Sequence, residues 1–131
     1  MINRVLIRLK VLQIIYAYYQ NGGKNVEATE KELFYSLSKA YDLYNYLLLL
    51  MVEVTRFADR RIDNRRNKLR PTYEDLNPNR KFVENAVIRL IAQSDAVNDY
   101  LAARKLSWAQ YPELIKTLFN QLEQSEYYKA Y

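Results

Sequence analysis

The chain of 131 residues contains no cysteine and no histidine. That excludes disulfides, an ordinary zinc site, and the Ser-His-Asp and Cys-His arrangements that activate a nucleophile. Glycine occurs twice, as the pair Gly22–Gly23, which is too little for a phosphate-cradling loop or a dinucleotide fingerprint. There are three prolines, and no stretch alternates apolar and polar residues in the manner of a half-buried strand. The longest purely apolar run, Leu47–Val52, is far short of the ~20 residues that cross a bilayer. The apolar N-terminus carries Arg8 and Lys10 and lacks a small-residue cleavage site, so it does not read as a secretory leader. Most acidic residues stand three or four positions from a base, as in Glu53 with Arg56 and Arg60 with Asp63, the spacing of surface ion pairs on a helix. These absences point away from an enzyme, and no metal or cofactor is expected.

What is present is hydrophobic and aromatic. Half the residues are apolar and thirteen are tyrosine, so a packed core rather than disorder is expected. With few helix breakers the expectation is an all-α fold, a bundle of about five helices in a single helical domain over residues 1–131. Met1–Tyr19 reads as a helix that is apolar on nearly every side, with Val5, Leu9, Leu12, Tyr16 and Tyr19 on one stripe and Ile7, Ile14 and Tyr18 roughly opposite. Such a helix is expected in the core, flanked on two sides. Asn21-Gly22-Gly23 should end it, and Thr29 with Glu32 offers a capping box for the next.

From there Leu33, Leu37, Ala40, Tyr44, Leu47, Met51, Val54, Ala58 and Ile62 step by threes and fours. They predict one long helix, with a kink near Ser36–Ser38 as the alternative. A second line, Leu43, Tyr46, Leu50 and Phe57, predicts that its middle is sandwiched. Pro71 ends the element, and Thr72–Arg80 reads as a loop. Three shorter helices follow: Phe82–Gln93 with Phe82, Val83, Val87, Leu90 and Ile91 inward; one capped by Ser94 or Asp95 through Lys105 with Val97, Tyr100 and Leu101 inward; and one capped by Ser107, with Pro112 near its first turn. The last should bury Leu114, Ile115, Leu118, Phe119 and Leu122. Trp108 reads as a core anchor, with a stacking platform for a base as the alternative.

Charge is unevenly placed. The net charge is +5, yet residues 1–70 hold thirteen bases against seven acids and residues 71–131 hold seven against eight. A positive half suggests a polyanionic partner. Two groups carry it: Arg4 and Arg8 on one stripe of the first helix, and the run Arg60, Arg61, Arg65, Arg66, Lys68, Arg70 at the end of the long one. Cations at a helix C-terminus are favoured by its macrodipole, so phosphate contact and simple helix termination both account for the second group.

The run Arg8, Gln13, Ile14, Ile15, Tyr16 resembles the opening helix of the NusB family of bacterial transcription antitermination factors, where a basic cluster precedes a Gln, two apolar residues and an aromatic. The resemblance covers about the first half of the chain, weakly from Asp42 to Ile62. It departs where Val5, Leu6 and Ile7 replace most of the family's consecutive arginines, and it lacks the later Asn-Glu-Ala and Phe-Val-Asn-Gly segments. The wording is most similar to long relatives of the Bacteroides group with an extra N-terminal region, of which this chain would be the N-terminal part. The resemblance implies two helical subdomains of antiparallel bundles. It also implies binding of boxA-type RNA together with the small ribosomal protein NusE, in a cytoplasmic antitermination complex with RNA polymerase. The RNA-contacting residues it implies are Arg8, with Arg4 and Lys10 as substitutes for the missing arginines, Asn3 assisting, and Tyr16 fixing the helix in the core. Arg60, Arg61, Arg65 and Arg66 form a secondary candidate set. Two other readings stand beside this one: a structural module that dimerises through its tyrosine-rich sides or shields a partner domain, and a helical domain attached to an RNA methyltransferase.

Overall fold

The computed structural model describes residues 3–131, and every regular element among them is helical. Met1 and Ile2 of the expected first helix lie outside the described residues. The described residues form seven helices rather than about five: α1 (Arg4–Gln20), α2 (Val26–Arg66), α3 (Tyr73–Leu76), α4 (Ala86–Ala92), α5 (Asp95–Arg104), α6 (Pro112–Gln124) and α7 (Glu126–Ala130). The two extra ones, α3 and α7, are single turns of four and five residues, too short to carry a periodic signal. No described helix is long and apolar enough to cross a membrane. The chain divides into two compact units, Met1–Asn45 and Tyr46–Tyr131.

In the first unit the Asn3 side chain accepts from the Leu6 N–H at 2.8 Å and caps α1. The other end closes as a Schellman motif. The Gly23 N–H donates to the Tyr18 carbonyl at 2.9 Å and the Gly22 N–H to the Tyr19 carbonyl at 3.2 Å. Gly22 sits at φ +82°, a backbone region where a side chain would be strained, so the stop read from the sequence has a definite geometry. The expected Thr29 cap is not used. Asn25 caps α2 four residues earlier, accepting from the Ala28 N–H at 2.9 Å, and the Thr29 hydroxyl turns back to the Asn25 carbonyl at 2.8 Å. α2 is 41 residues long, with no break at Ser36–Ser38.

α1 meets α2 through Leu6, Lys10 and Ile14, which share a hollow with Glu32, Tyr35 and Lys39. The stripe expected in the core is therefore the wrong one: Val5, Leu9, Leu12, Tyr16 and Tyr19 are all exposed, and α1 has no buried residue. A helix with apolar residues all round offers several faces, and periodicity does not say which one the partner takes. The expectation of a first helix flanked on two sides and fixed in the core by Tyr16 is corrected accordingly. Replacing the 69% exposed Leu12 with alanine should change stability by no more than about 0.5 kcal/mol in thermal or urea unfolding, where a buried leucine would cost about 2–5.

The second unit holds a hydrophobic core. Val54 and Ala58 of α2 meet Ile115 and Phe119 of α6, and Leu50, Phe57, Phe82, Val83, Trp108, Leu118, Leu122 and Tyr128 pack around them. Ala58 is 0% exposed; a methyl group there lets the facing side chains approach closely. Phe119 is the hub of an aromatic cluster, with ring centroids 5.7 Å from Phe57, 6.2 Å from Phe82 and 6.0 Å from Tyr128. α6 starts with Pro112 in its first turn, after Tyr111 rather than after Ser107. The Ser107 hydroxyl oxygen instead accepts from the Ala109 N–H within the preceding turn.

The helix expected over Phe82–Gln93 begins only at Ala86, because Asn85 caps it by accepting from Val87 and Ile88. Phe82 and Val83 still reach the core from the preceding turn, whereas Val87, Leu90 and, in α6, Leu114 are exposed. Leu101 of α5 is buried as expected. In α2 the middle is only partly covered: Leu43, Tyr44, Leu47 and Met51 are exposed, while Val52, Val54 and Ala58 are buried.

Candidate nucleic-acid interface

The first-unit candidates fall at the start of α1. Arg4 and Arg8 are exposed and have no ion-pair or hydrogen-bond partner among the described residues. They are one turn apart on the same stripe, and α1 carries no acidic residue along its length. Asn3 contributes its side-chain carbonyl oxygen to the cap, which leaves its side-chain amide N–H groups as donors on an exposed residue. Lys10 is half-buried and lines the hollow against α2, round the helix from Arg4 and Arg8. The structure therefore groups Asn3, Arg4 and Arg8 on the exposed end and sets Lys10 apart.

The second-unit candidates are split by ion pairing. Glu123 of α6 accepts from Arg65 at 2.9 Å and faces Arg61 at 3.2 Å. Arg61 also donates to the Asn120 side-chain carbonyl, and its guanidinium lies 5.6 Å from the centre of the Phe119 ring. Both arginines thus tie the end of α2 to α6. Lys68 is engaged as well, 3.1 Å from Asp75. Asp75 also accepts from the Thr72 N–H while the Asp75 N–H donates to the Thr72 hydroxyl, a capping box for α3. The Thr72 backbone N–H first, and then Lys68, hold the Asp75 carboxyl below its ordinary range. Arg60 and Arg66 remain exposed without a partner among the described residues.

Sequence spacing could place six bases on one stretch but could not reveal that Glu123, some sixty residues on, would occupy two of them. The i,i+3 pairs fare differently from one another. Glu53 and Arg56 meet at 2.7 Å, while Arg60 and Asp63 form no ion pair among the described residues. Replacing Glu123 with alanine should cost about 1 kcal/mol, the upper end for partly exposed pairs, since two arginines lose their acceptor together. Chemical unfolding of that variant beside wild type checks it.

Trp108, expected as a core anchor with base stacking as the alternative, is held in place. Its indole N–H donates to the Tyr46 carbonyl at 2.9 Å and its ring stacks on Tyr46 at 4.0 Å between centroids, 10° from parallel. The Tyr46 hydroxyl returns a hydrogen bond to the Ser107 carbonyl at 2.8 Å. This reciprocal clamp fits the core-anchor reading, with one ring face already covered.

Fold and charge together define an all-α protein with a cationic, acid-free end on its first helix. Compared with protein-family models, curated proteins and solved structures, the chain matches none of them.

Proposed function

We propose that this chain is a non-catalytic, NusB-like RNA-binding module of a cytoplasmic transcription antitermination factor, contacting boxA-type RNA alongside the small ribosomal protein NusE and RNA polymerase. The observation that carries the reading is the exposed pair Arg4 and Arg8, without a partner among the described residues, on an acid-free helix in the register of the NusB-like run Arg8, Gln13, Ile14, Ile15, Tyr16. A helix N-terminus already favours anions through its free N–H groups and dipole, and two added cations strengthen that field. Phosphate contacts of this kind position RNA without reading its sequence, so base specificity has to come from other groups. Arg60 and Arg66 are the members of the secondary set left for such contacts, while Arg61 and Arg65 serve α6.

The test is an equilibrium titration of fluorescently labelled boxA-type RNA over a series of salt concentrations. Each phosphate contact to a single strand contributes about −0.7 to the slope of log affinity against log salt. A slope steeper than about −1.4, matching at least two contacts, supports the reading. Binding that is absent at low salt, or insensitive to salt, contradicts it.

A further inference from the structure

We propose that the groove between the second half of α2 and α6 is a docking site for an acidic peptide segment of a partner protein, anchored by one large apolar side chain. The groove has a volume of about 830 Å³ and lies wholly within the second unit. Phe57, Trp108, Pro112 and Ile115 supply its apolar surface. Trp108 contributes only its ring there, because its single N–H is committed to Tyr46, and the Tyr46 stack holds that ring in one orientation. A preset aromatic wall lowers the ordering cost of binding.

The polar groups of the groove are selective in sign. Its acid, Glu53, is taken up by Arg56 at 2.7 Å. Arg60 and Asn64, one turn apart on α2, have no partner among the described residues. On the α6 side Lys116 has only a 3.4 Å contact with the strongly exposed Glu113, an arrangement that solvent readily breaks. The open capacity of the groove is therefore cationic and donating around an apolar floor, and its complement is a carboxylate-flanked apolar side chain. Single-stranded RNA would satisfy the cations. It would, however, set a polar ribose-phosphate chain over Phe57, Pro112 and Ile115, and Tyr46 already occupies one face of Trp108. This assignment takes Arg60 out of the secondary RNA set, leaving Arg66 there, and is independent of the RNA reading at α1.

Trp108 is the only tryptophan, so its emission reports on the groove directly. The intact chain is titrated with a short blocked peptide of Asp and Glu around a central Leu-Phe, with the same peptide carrying Lys in place of the acids, and with oligouridylate. The acidic peptide is expected to change Trp108 emission saturably while the basic one does not. The double variant R60E/K116E should raise Kd at least about tenfold, the effect of ~1.4 kcal/mol, with an unchanged circular dichroism spectrum. Equal binding of the acidic and basic peptides, no response to the acidic peptide, or an unaltered Kd in a folded R60E/K116E would overturn the proposal. A response to oligouridylate alone, lost in the double variant, would overturn it in favour of a nucleic-acid site.

Discussion

Replacing Phe119 with alanine is expected to remove about 3–5 kcal/mol of stability from the unit Tyr46–Tyr131. Phe119 is 3% exposed, and its ring is surrounded by Phe57, Phe82 and Tyr128 from three different segments. Truncation deletes the apolar transfer free energy of the ring and leaves a cavity whose aromatic walls cannot collapse freely. It also removes the surface over which the Arg61 guanidinium lies. Domains of this size hold about 5–15 kcal/mol in all, so the variant should lose a large part of its margin. Urea unfolding followed by circular dichroism measures it, and a loss under about 1 kcal/mol would mean that the aromatic cluster is not the centre of the fold. Phe119→Leu refills most of the volume and should cost clearly less.

Reversing both exposed cations of α1, as R4E/R8E, is expected to weaken RNA binding by at least roughly 25-fold at 0.1 M salt, the factor that two lost single-strand phosphate contacts imply. The salt slope should flatten by about 1.4 at the same time. The fold should be unaffected, because neither arginine has a partner to lose among the described residues. The glutamate at position 4 stands in the first turn and suits the helix dipole, while position 8 lies a turn further on and is nearly neutral to it. An unchanged slope in a folded R4E/R8E would make α1 scaffold only. The parallel variant R60E/R66E tests two cations of α2 that have no partner among the described residues, and a loss there alone would move the RNA site to the end of α2.

Local signals in the sequence carried furthest where the physics is local. The stop at Asn21-Gly22-Gly23 depends on one residue that tolerates positive φ, and it stands as a Schellman motif. The long α2 follows from nine apolar residues in helical register. Pro112 marks the first turn of α6, and the inward Ile115 and Phe119 follow by periodicity. What failed depends on tertiary choices. The stripe Val5, Leu9, Leu12, Tyr16, Tyr19 is more apolar than the set that does face α2, which includes Lys10, so apolarity within α1 ranks the two in the wrong order. Asn25 and Thr29 both suit an N-cap, and the chain selects the earlier one. The candidate site shows the same division. Arg4 and Arg8 can be read directly from the sequence as a cationic helix end, since α1 carries no acid to pair with them. Arg61 and Arg65 cannot, because their partner Glu123 arrives from α6. The clamp between Tyr46 and Trp108 is likewise a long-range pairing with no sequence signature.

Photocrosslinking a boxA-type RNA substituted with 4-thiouridine to the wild-type chain, with the adducts mapped by mass spectrometry, shows whether RNA meets this protein at the start of α1. Adducts are expected on peptides from residues 3–20, suppressed by added salt and lost in R4E/R8E. Adducts confined to residues 60–70, or spread over the chain and indifferent to salt, would contradict an RNA site there.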